Sequence, residues 1–205
     1  LVWIAENDTR WGNDYEQTAD INAWTTPSWD DGKGFTPIGN GSTQFTGSYD
    51  GDGHTIDNLY INPTISAHYW GLFGWINESS IQNLGIEDAY VDGYHYIGAL
   101  VGYNFKSAIS NCYSTGTVIG SNNNIGGLVG YNGLNSTISN CYSNCSVTGS
   151  SYVGGLSGDH QAATITNCYS SGNVTGNSDV GGLVGRSFNG NVNNSFWDVE
   201  TDSID

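Results

Sequence analysis

The chain has 205 residues, among them 30 Gly and no Met, and only 12% of it is charged. Its net charge is −16, and Arg10, Lys33, Lys106 and Arg186 are its only Lys or Arg residues. That excludes the basic surface that nucleic acid or anionic lipid would require. No apolar run reaches the roughly 18 residues of a membrane-spanning helix. A turn-rich composition poor in charge suits an all-β array better than a cytosolic enzyme. No signal peptide is visible, and a start at Leu1 rather than Met reads as a processed or trimmed start.

Residues 1–49 hold Trp3, Trp11, Trp24 and Trp29, four of the seven Trp, and show no internal period. They precede a repeat array and are assigned as an N-terminal cap with lead-in strands. In this reading the Trp side chains plug the first coil, because a bare end would expose apolar core and unpaired strand edges. A second reading makes Trp with Asp14, Asp30 and Asp31 a sugar-binding cleft.

Asp50-Gly-Asp-Gly-His-Thr-Ile-Asp57 is the densest polar cluster. Asp50, Asp52 and Asp57 resemble the opening of a calcium loop, where clustered carboxylates hold a hard cation. The downstream bidentate Glu is missing, and Gly-rich turns alone also account for the pattern. No other cofactor is indicated. His54 has neither a nucleophile nor a second His nearby.

From about residue 55 a phrase recurs. Ile97-Gly-Ala-Leu-Val-Gly-Tyr-Asn104 precedes Ile109-Ser-Asn-Cys-Tyr-Ser114, and Ile125-Gly-Gly-Leu-Val-Gly-Tyr-Asn132 precedes Ile138-Ser-Asn-Cys-Tyr-Ser143. Val153-Gly-Gly-Leu-Ser-Gly158 precedes Ile165-Thr-Asn-Cys-Tyr-Ser170, and worn copies flank these. A fixed period of about 28 residues means one structural unit stacked repeatedly. Short β-branched segments between Gly, Asn and Ser read as strands, about three per repeat. The prediction is a parallel β-helix of about six coils over residues 50–199, followed by an acidic tail, 200–205.

Aligning the copies gives columns. Asn58, Asn83, Asn111, Asn140, Asn167 and Asn194 form one of them, flanked by aliphatic residues at odd spacing. Strict alternation would turn one of those outward. A left-handed Asn resets the parity, and its buried amide is expected to bond to the next coil as a ladder. Tyr60, Tyr113, Tyr142, Tyr169 and Phe196 form an outward aromatic column, suited to mutual stacking or to binding. Cys112, Cys141 and Cys168 share a column with Leu and Ser, which reads as buried, free thiols rather than a metal site. Cys145 stands where other copies have Gly116 and Gly172. Asn-x-Ser/Thr sequons make Asn77, Asn135, Asn40 and Asn173 glycosylation candidates.

The Gly-Gly-Leu-Val-Gly-x-Asn phrase followed by Ile-x-Asn-Cys-Tyr-Ser-x-Gly-x-Val resembles the GLUG repeat family over about residues 69–199. Phe35-Thr-Pro-Ile-Gly39, Phe45-Thr-Gly-Ser-Tyr-Asp50 and Phe196-Trp197-Asp198 resemble segments that flank such arrays. The resemblance implies a β-solenoid in secreted or surface proteins of bacteria and archaea, without catalytic residues. Some members are attached to zinc metallopeptidases, but His-Glu-x-x-His is absent here.

Three functions compete: a structural or adhesive module of a cell envelope, sheath or filament; a carbohydrate-binding module; and a polysaccharide-active enzyme. An enzyme needs acidic or basic residues converging on one face, and the repeats offer Asn, Ser and Thr instead. The expectation is a non-catalytic extracellular module, partnered by itself, by the rest of a larger surface protein, or by glycans. With only eight residues after Trp197, the last coil is expected to be thinly capped, so the chain continues or assembles.

Overall fold

The computed structural model describes residues 1–63 and 68–198. It is an all-β solenoid of parallel strands, about five turns long, with little helix. The 200–205 tail lies outside the described residues.

Each coil has four sides rather than three. One turn runs through Asn123–Gly126, Val129–Gly133, Thr137–Ser139 and Tyr142–Thr148. Equivalent strands of successive coils pair in parallel and make four sheets, called here sides 1 to 4 in that order. The extra side arises because the Gly-Gly-Leu phrase breaks the expected first strand in two. A Cβ at Gly127 would lie 2.2 Å from the Gly155 carbonyl oxygen, so only glycine lets the coils approach at that bend. The next residue then turns inward, and Leu100, Leu128 and Leu156 are fully buried.

The inward residues stack in register. Ile81, Ile109, Ile138, Ile165 and Val192 form one column on side 3. One hydrophobic cluster runs unbroken from Ile4 to Cys168. Cys112, Cys141 and Cys168 lie inside it, each 1% exposed, and Cys145 is buried as well. The Cys112 N–H donates to Cys141 Sγ at 3.4 Å, and burial pushes the Cys141 and Cys145 thiols up.

The Asn corner follows side 3. Asn83, Asn111, Asn140, Asn167 and Asn194 all have φ between 46° and 55°. Their side chains form a ladder: Asn111 Nδ2 donates to Asn83 Oδ1 at 3.0 Å, Asn140 to Asn111 at 3.3 Å, Asn167 to Asn140 at 3.2 Å and Asn194 to Asn167 at 3.4 Å. The ladder is exposed to solvent at Asn111, Asn140 and Asn167, whereas burial was expected. Parity alone requires the corner, and the amides bridge coils from outside the core.

Two members of the expected columns stand elsewhere. Asn58 donates to Asn22 Oδ1, and its own N–H bonds to the Glu87 carbonyl, so it occupies a side-4 corner. Tyr60 pairs with Tyr90 and stacks on it at 5.1 Å, not on Tyr113. Thr55, Gly85 and Tyr113 share the column to which Tyr60 was assigned. Asn58 stands three positions after Thr55, as Asp88 does after Gly85, so counting it as a member of the Asn column misplaced Tyr60, which falls at the Tyr90 position.

The solenoid also starts earlier than expected. Tyr15–Glu16 and Ile21–Asn22 already pair in parallel with Ser48–Asp50 and Thr55–Asp57. The end is plugged by Ile4, Ala5 and Trp11, whose Nε1 donates to the Ile4 carbonyl at 2.8 Å. Trp29 packs partly on the core, while Trp3 and Trp24 are exposed, so the plug is not made by all four Trp.

Because Asn140 is exposed, its energetic role lies in the left-handed backbone. Asn140→Ala is expected to cost about 1–2 kcal/mol in urea denaturation. Asn140→Gly, free of the Cβ penalty, should recover most of that loss. Equal losses from both changes would place the energy in the amide ladder instead.

The thiols give a second check. Cys112, Cys141, Cys145 and Cys168 should resist iodoacetamide in the folded chain and react once it is unfolded in urea. Rapid native labelling would contradict their inward facing.

Candidate functional site

The titratable residues singled out in the sequence do not converge. Asp50 Oδ1 accepts from Asn83 Nδ2 at 2.9 Å and from the Asp52 N–H, and its Oδ2 accepts from Gln82 Nε2. These bonds hold its carboxyl below the usual carboxylate range, with the Asn83 bond first among them. Asp50 is the head of the Asn ladder, and Asp57 belongs to a different sheet. Among the described residues, no three His, Cys, Asp or Glu side chains are grouped as a metal would need. Asp14 takes Ser48, Asp30 takes Lys33, and Arg10 lies 3.9 Å over the Trp3 ring; Trp29 and Asp30 share a recess of about 300 Å³, which Asp14, Asp31 and the other three Trp of residues 1–49 do not line.

The stacked aromatics do form a surface feature. Tyr113 and Tyr142 are 4.8 Å apart and parallel within 3°; Tyr142 and Tyr169 follow at 4.9 Å, and Phe196 at 5.6 Å. The Tyr113 hydroxyl donates to Glu87. The rings lie face to face along the column, which leaves edges rather than a recess. Of the sequon asparagines, Asn40, Asn135 and Asn173 are exposed. Asn77 is half-buried, with an unpartnered Oδ1.

A second aromatic assembly lies where side 1 meets side 2, and sequence reasoning missed it. Side 1 contributes a left-handed corner column of Tyr69, Tyr96, Asn124, Tyr152 and Asp179, with φ from 50° to 73°. Side 2 contributes Trp75, Tyr103, Tyr131, Asp159 and Arg186 in register. Tyr69 stacks on Tyr96 at 5.2 Å and 8°, and Tyr103 stacks on Tyr131 at 4.4 Å. Tyr96 meets Tyr103 edge-on at 5.0 Å. Toward the later coils the rings give way to charge. Arg186 Nη2 and Nε reach Asp159 Oδ2 and Oδ1 at 2.6 and 3.0 Å, and the guanidinium lies 3.9 Å over the Tyr152 ring.

Between the rings opens a groove of about 370 Å³. Tyr96, Tyr131, Tyr152, Asn124, Asp159 and Arg186 are among its lining residues. Asp159 is 1% exposed, and Arg186 is the bidentate partner that such a buried carboxylate requires. Burial raises the Tyr96, Tyr103 and Tyr131 phenols, so they remain hydroxyls at physiological pH. His95 lines the same groove, and its Nδ1 accepts from the Asn123 N–H. The spacing of Tyr96 and Tyr152 around Asn124, one residue per coil, was the available signal, but it shows only once the corner is known.

Comparison with known proteins places the array. The GLUG motif matches at residues 93–119, 121–151 and 149–175. Residues 93–175 carry GLUG repeats. Halomucin from Haloquadratum walsbyi is 41% identical over 109 residues, which is 50% of this chain and 1% of halomucin. A crystal structure from Bacteroides ovatus, described as a candidate immunoglobulin A1 protease, superposes with a TM-score of 0.67 at 26% identity. That match covers 90% of this chain and 60% of the other. The GLUG geometry extends beyond the matched residues, since the same four sides recur through Phe196–Trp197.

Burial, with His68 facing it, pushes His95 down from 6.5 to about 4. The fold therefore holds the neutral ring, while the unfolded chain binds a proton at higher pH. Its contribution is complete above about pH 6.5 and is lost as pH falls toward 4. His160 is lowered by burial and acts in the same direction. Thermal midpoints should fall across this window, before the carboxylates titrate, and His95→Gln should flatten the fall. An unchanged slope in that variant would remove His95 as the cause.

Proposed function

We propose that this chain is a non-catalytic structural and adhesive segment of a cell-surface protein, a stiff solenoid that stacks on further coils or on a second copy. The observation that carries this reading is the chemistry of the last coil. Val192 is 41% exposed, whereas Ile165, its equivalent one coil earlier, is fully buried. Val180 and Trp197, whose equivalents Val153 and Ser170 are buried, are exposed on the same coil. Among the described residues, this face has the composition of the solenoid interior and presents parallel strand edges, which natural proteins cover or use.

The GLUG repeats and the likeness to halomucin support the surface placement. The charge distribution supports a non-catalytic role. Asp159 is tied to Arg186, Asp20 to His54 and Glu78 to Lys106, and the thiols are buried. A net charge of −16 opposes close approach of copies, so association through the last coil should strengthen as salt screens it.

Immunogold labelling of intact source cells tests the location, and label confined to the cytoplasm would defeat the reading. Sedimentation velocity tests the end face. The chain should self-associate reversibly with rising salt, and Val192→Ser with Trp197→Ser should weaken that association. A monomer at every concentration and salt would remove stacking between copies.

A further inference from the structure

The side-1 corner column is a run of tyrosines with one interruption. Tyr69, Tyr96 and Tyr152 occupy successive coils except at Asn124, where a short amide takes the place of a ring. Strand spacing puts Tyr96 and Tyr152 about 10 Å apart across that position, two strand separations. Tyr69 covers one face of Tyr96, and Arg186 covers one face of Tyr152. Tyr69 comes from the coil before Tyr96 and Arg186 from the coil after Tyr152, so the uncovered faces look toward each other over Asn124. The interruption is a slot.

The slot's chemistry is specific. Asn124 is 5% exposed, and its Oδ1 has no hydrogen-bond partner among the described residues. A buried, unpaired amide oxygen is costly unless something donates to it. Tyr131 and the Asp159–Arg186 pair also line the groove, and Gln161 accepts from the Tyr131 hydroxyl at 3.0 Å. Asp159 and Arg186 cancel in charge, and no other charged side chain is among the lining residues. Aromatic faces set beside fixed donors and acceptors, without net charge, match a ligand that is apolar on its ring faces and hydroxylated around its rim.

We propose that the slot over Asn124, walled by Tyr96 and Tyr152 and backed by Tyr131 and the Asp159–Arg186 pair, binds a pyranose ring of a neutral glycan. The ring lies between the tyrosine faces, one hydroxyl donates to Asn124 Oδ1, and neighbouring hydroxyls reach Asp159 and Arg186. An anionic sugar is disfavoured because Arg186 is already neutralised and the chain carries −16. An apolar peptide anchor would leave the Asn124 amide and the ion pair without partners. The proposal goes beyond the surface-module reading and is tested independently of it.

The experiment titrates the whole chain, followed by NMR and calorimetry, with cellotetraose, mannotetraose and galactotetraose, and with tetragalacturonate as the anionic control. At least one neutral tetrasaccharide should bind and shift the Asn124 and Tyr152 resonances, while tetragalacturonate binds more weakly. Asn124→Tyr is the decisive variant. It completes the column with the residue that the same left-handed corner already accepts at 69, 96 and 152, so the thermal midpoint should hold or rise. Affinity should fall by about tenfold or more, as it should in Tyr152→Ala. Tyr142→Ala, on the stacked column of side 4, should leave affinity unchanged. The proposal is overturned if none of the neutral probes binds, if tetragalacturonate binds best, or if Asn124→Tyr folds and binds like the parent chain.

Discussion

The left-handed corner after side 3 is the constraint on which the solenoid depends. In an extended strand, neighbouring side chains face opposite ways, so Ile109 and Cys112 could not both enter the core three positions apart. At Asn111 the chain takes φ 53°, the direction resets, and both side chains are buried. Asn accepts this conformation better than other side chains that carry a Cβ. Backbone bonds then fix the corner from the next coil: the N–H groups of Asn83, Asn111, Asn140 and Asn167 each reach a following-coil carbonyl at 3.1 Å. The geometry of one residue per turn thus fixes the facing of those that follow.

The same device recurs at other corners with different residues. Between sides 2 and 3 the left-handed positions include Glu78, Lys106, Asn135, Ala162 and Asn189. Within side 1 they are Tyr69, Tyr96, Asn124, Tyr152 and Asp179. Non-glycine residues in this region carry strain on the order of 1–3 kcal/mol each, which persists only when the surroundings enforce it. Here the stacked backbones enforce it, as in the bond from the Asn135 N–H to the Ala162 carbonyl at 2.8 Å.

That difference explains what could be read from the sequence. The Ile-x-Asn-Cys phrase repeats with identical residues, so its period and the parallel solenoid were legible. The other corners repeat a backbone shape with unlike side chains, so they left no column to align. The fourth side was hidden because Gly-Leu was read as the middle of a strand, whereas Gly127 is a point of close backbone approach. Asn58 and Tyr60 were misplaced because Ile56-Asp-Asn58-Leu59 imitates the Ile81-Gln-Asn83-Leu84 phrase, although it lies in register with residues 86–89 on side 4. The groove joins residues about 28 positions apart on two different sides, and its key position is recognisable only as a missing ring. The aromatic column of side 4 drew attention because its rings align in sequence, yet its rings stack on one another and enclose no recess.

The interior of side 2 shows why variation concentrates at the corners. Asn104 Nδ2 donates to Asn132 Oδ1 at 2.8 Å, Asn132 Nδ2 to His160 Nδ1 at 3.0 Å, and His160 Nε2 lies 3.3 Å from the Asn191 carbonyl. All three side chains are buried. Each bond joins residues one coil apart, and the row ends where Ile76 and Ser187 stand opposite Asn104 and His160, leaving Asn104 Oδ1 without a partner among the described residues. Buried amides of this kind are costly without partners, so replacing one member of the row strands its neighbour. A corner side chain has no such obligation. Once the backbone conformation is enforced, tyrosine, asparagine and aspartate all serve at positions 96, 124 and 179, and a recess can be opened by one short residue without disturbing the core. The scaffold thus separates the residues that hold it together from those free to meet a ligand.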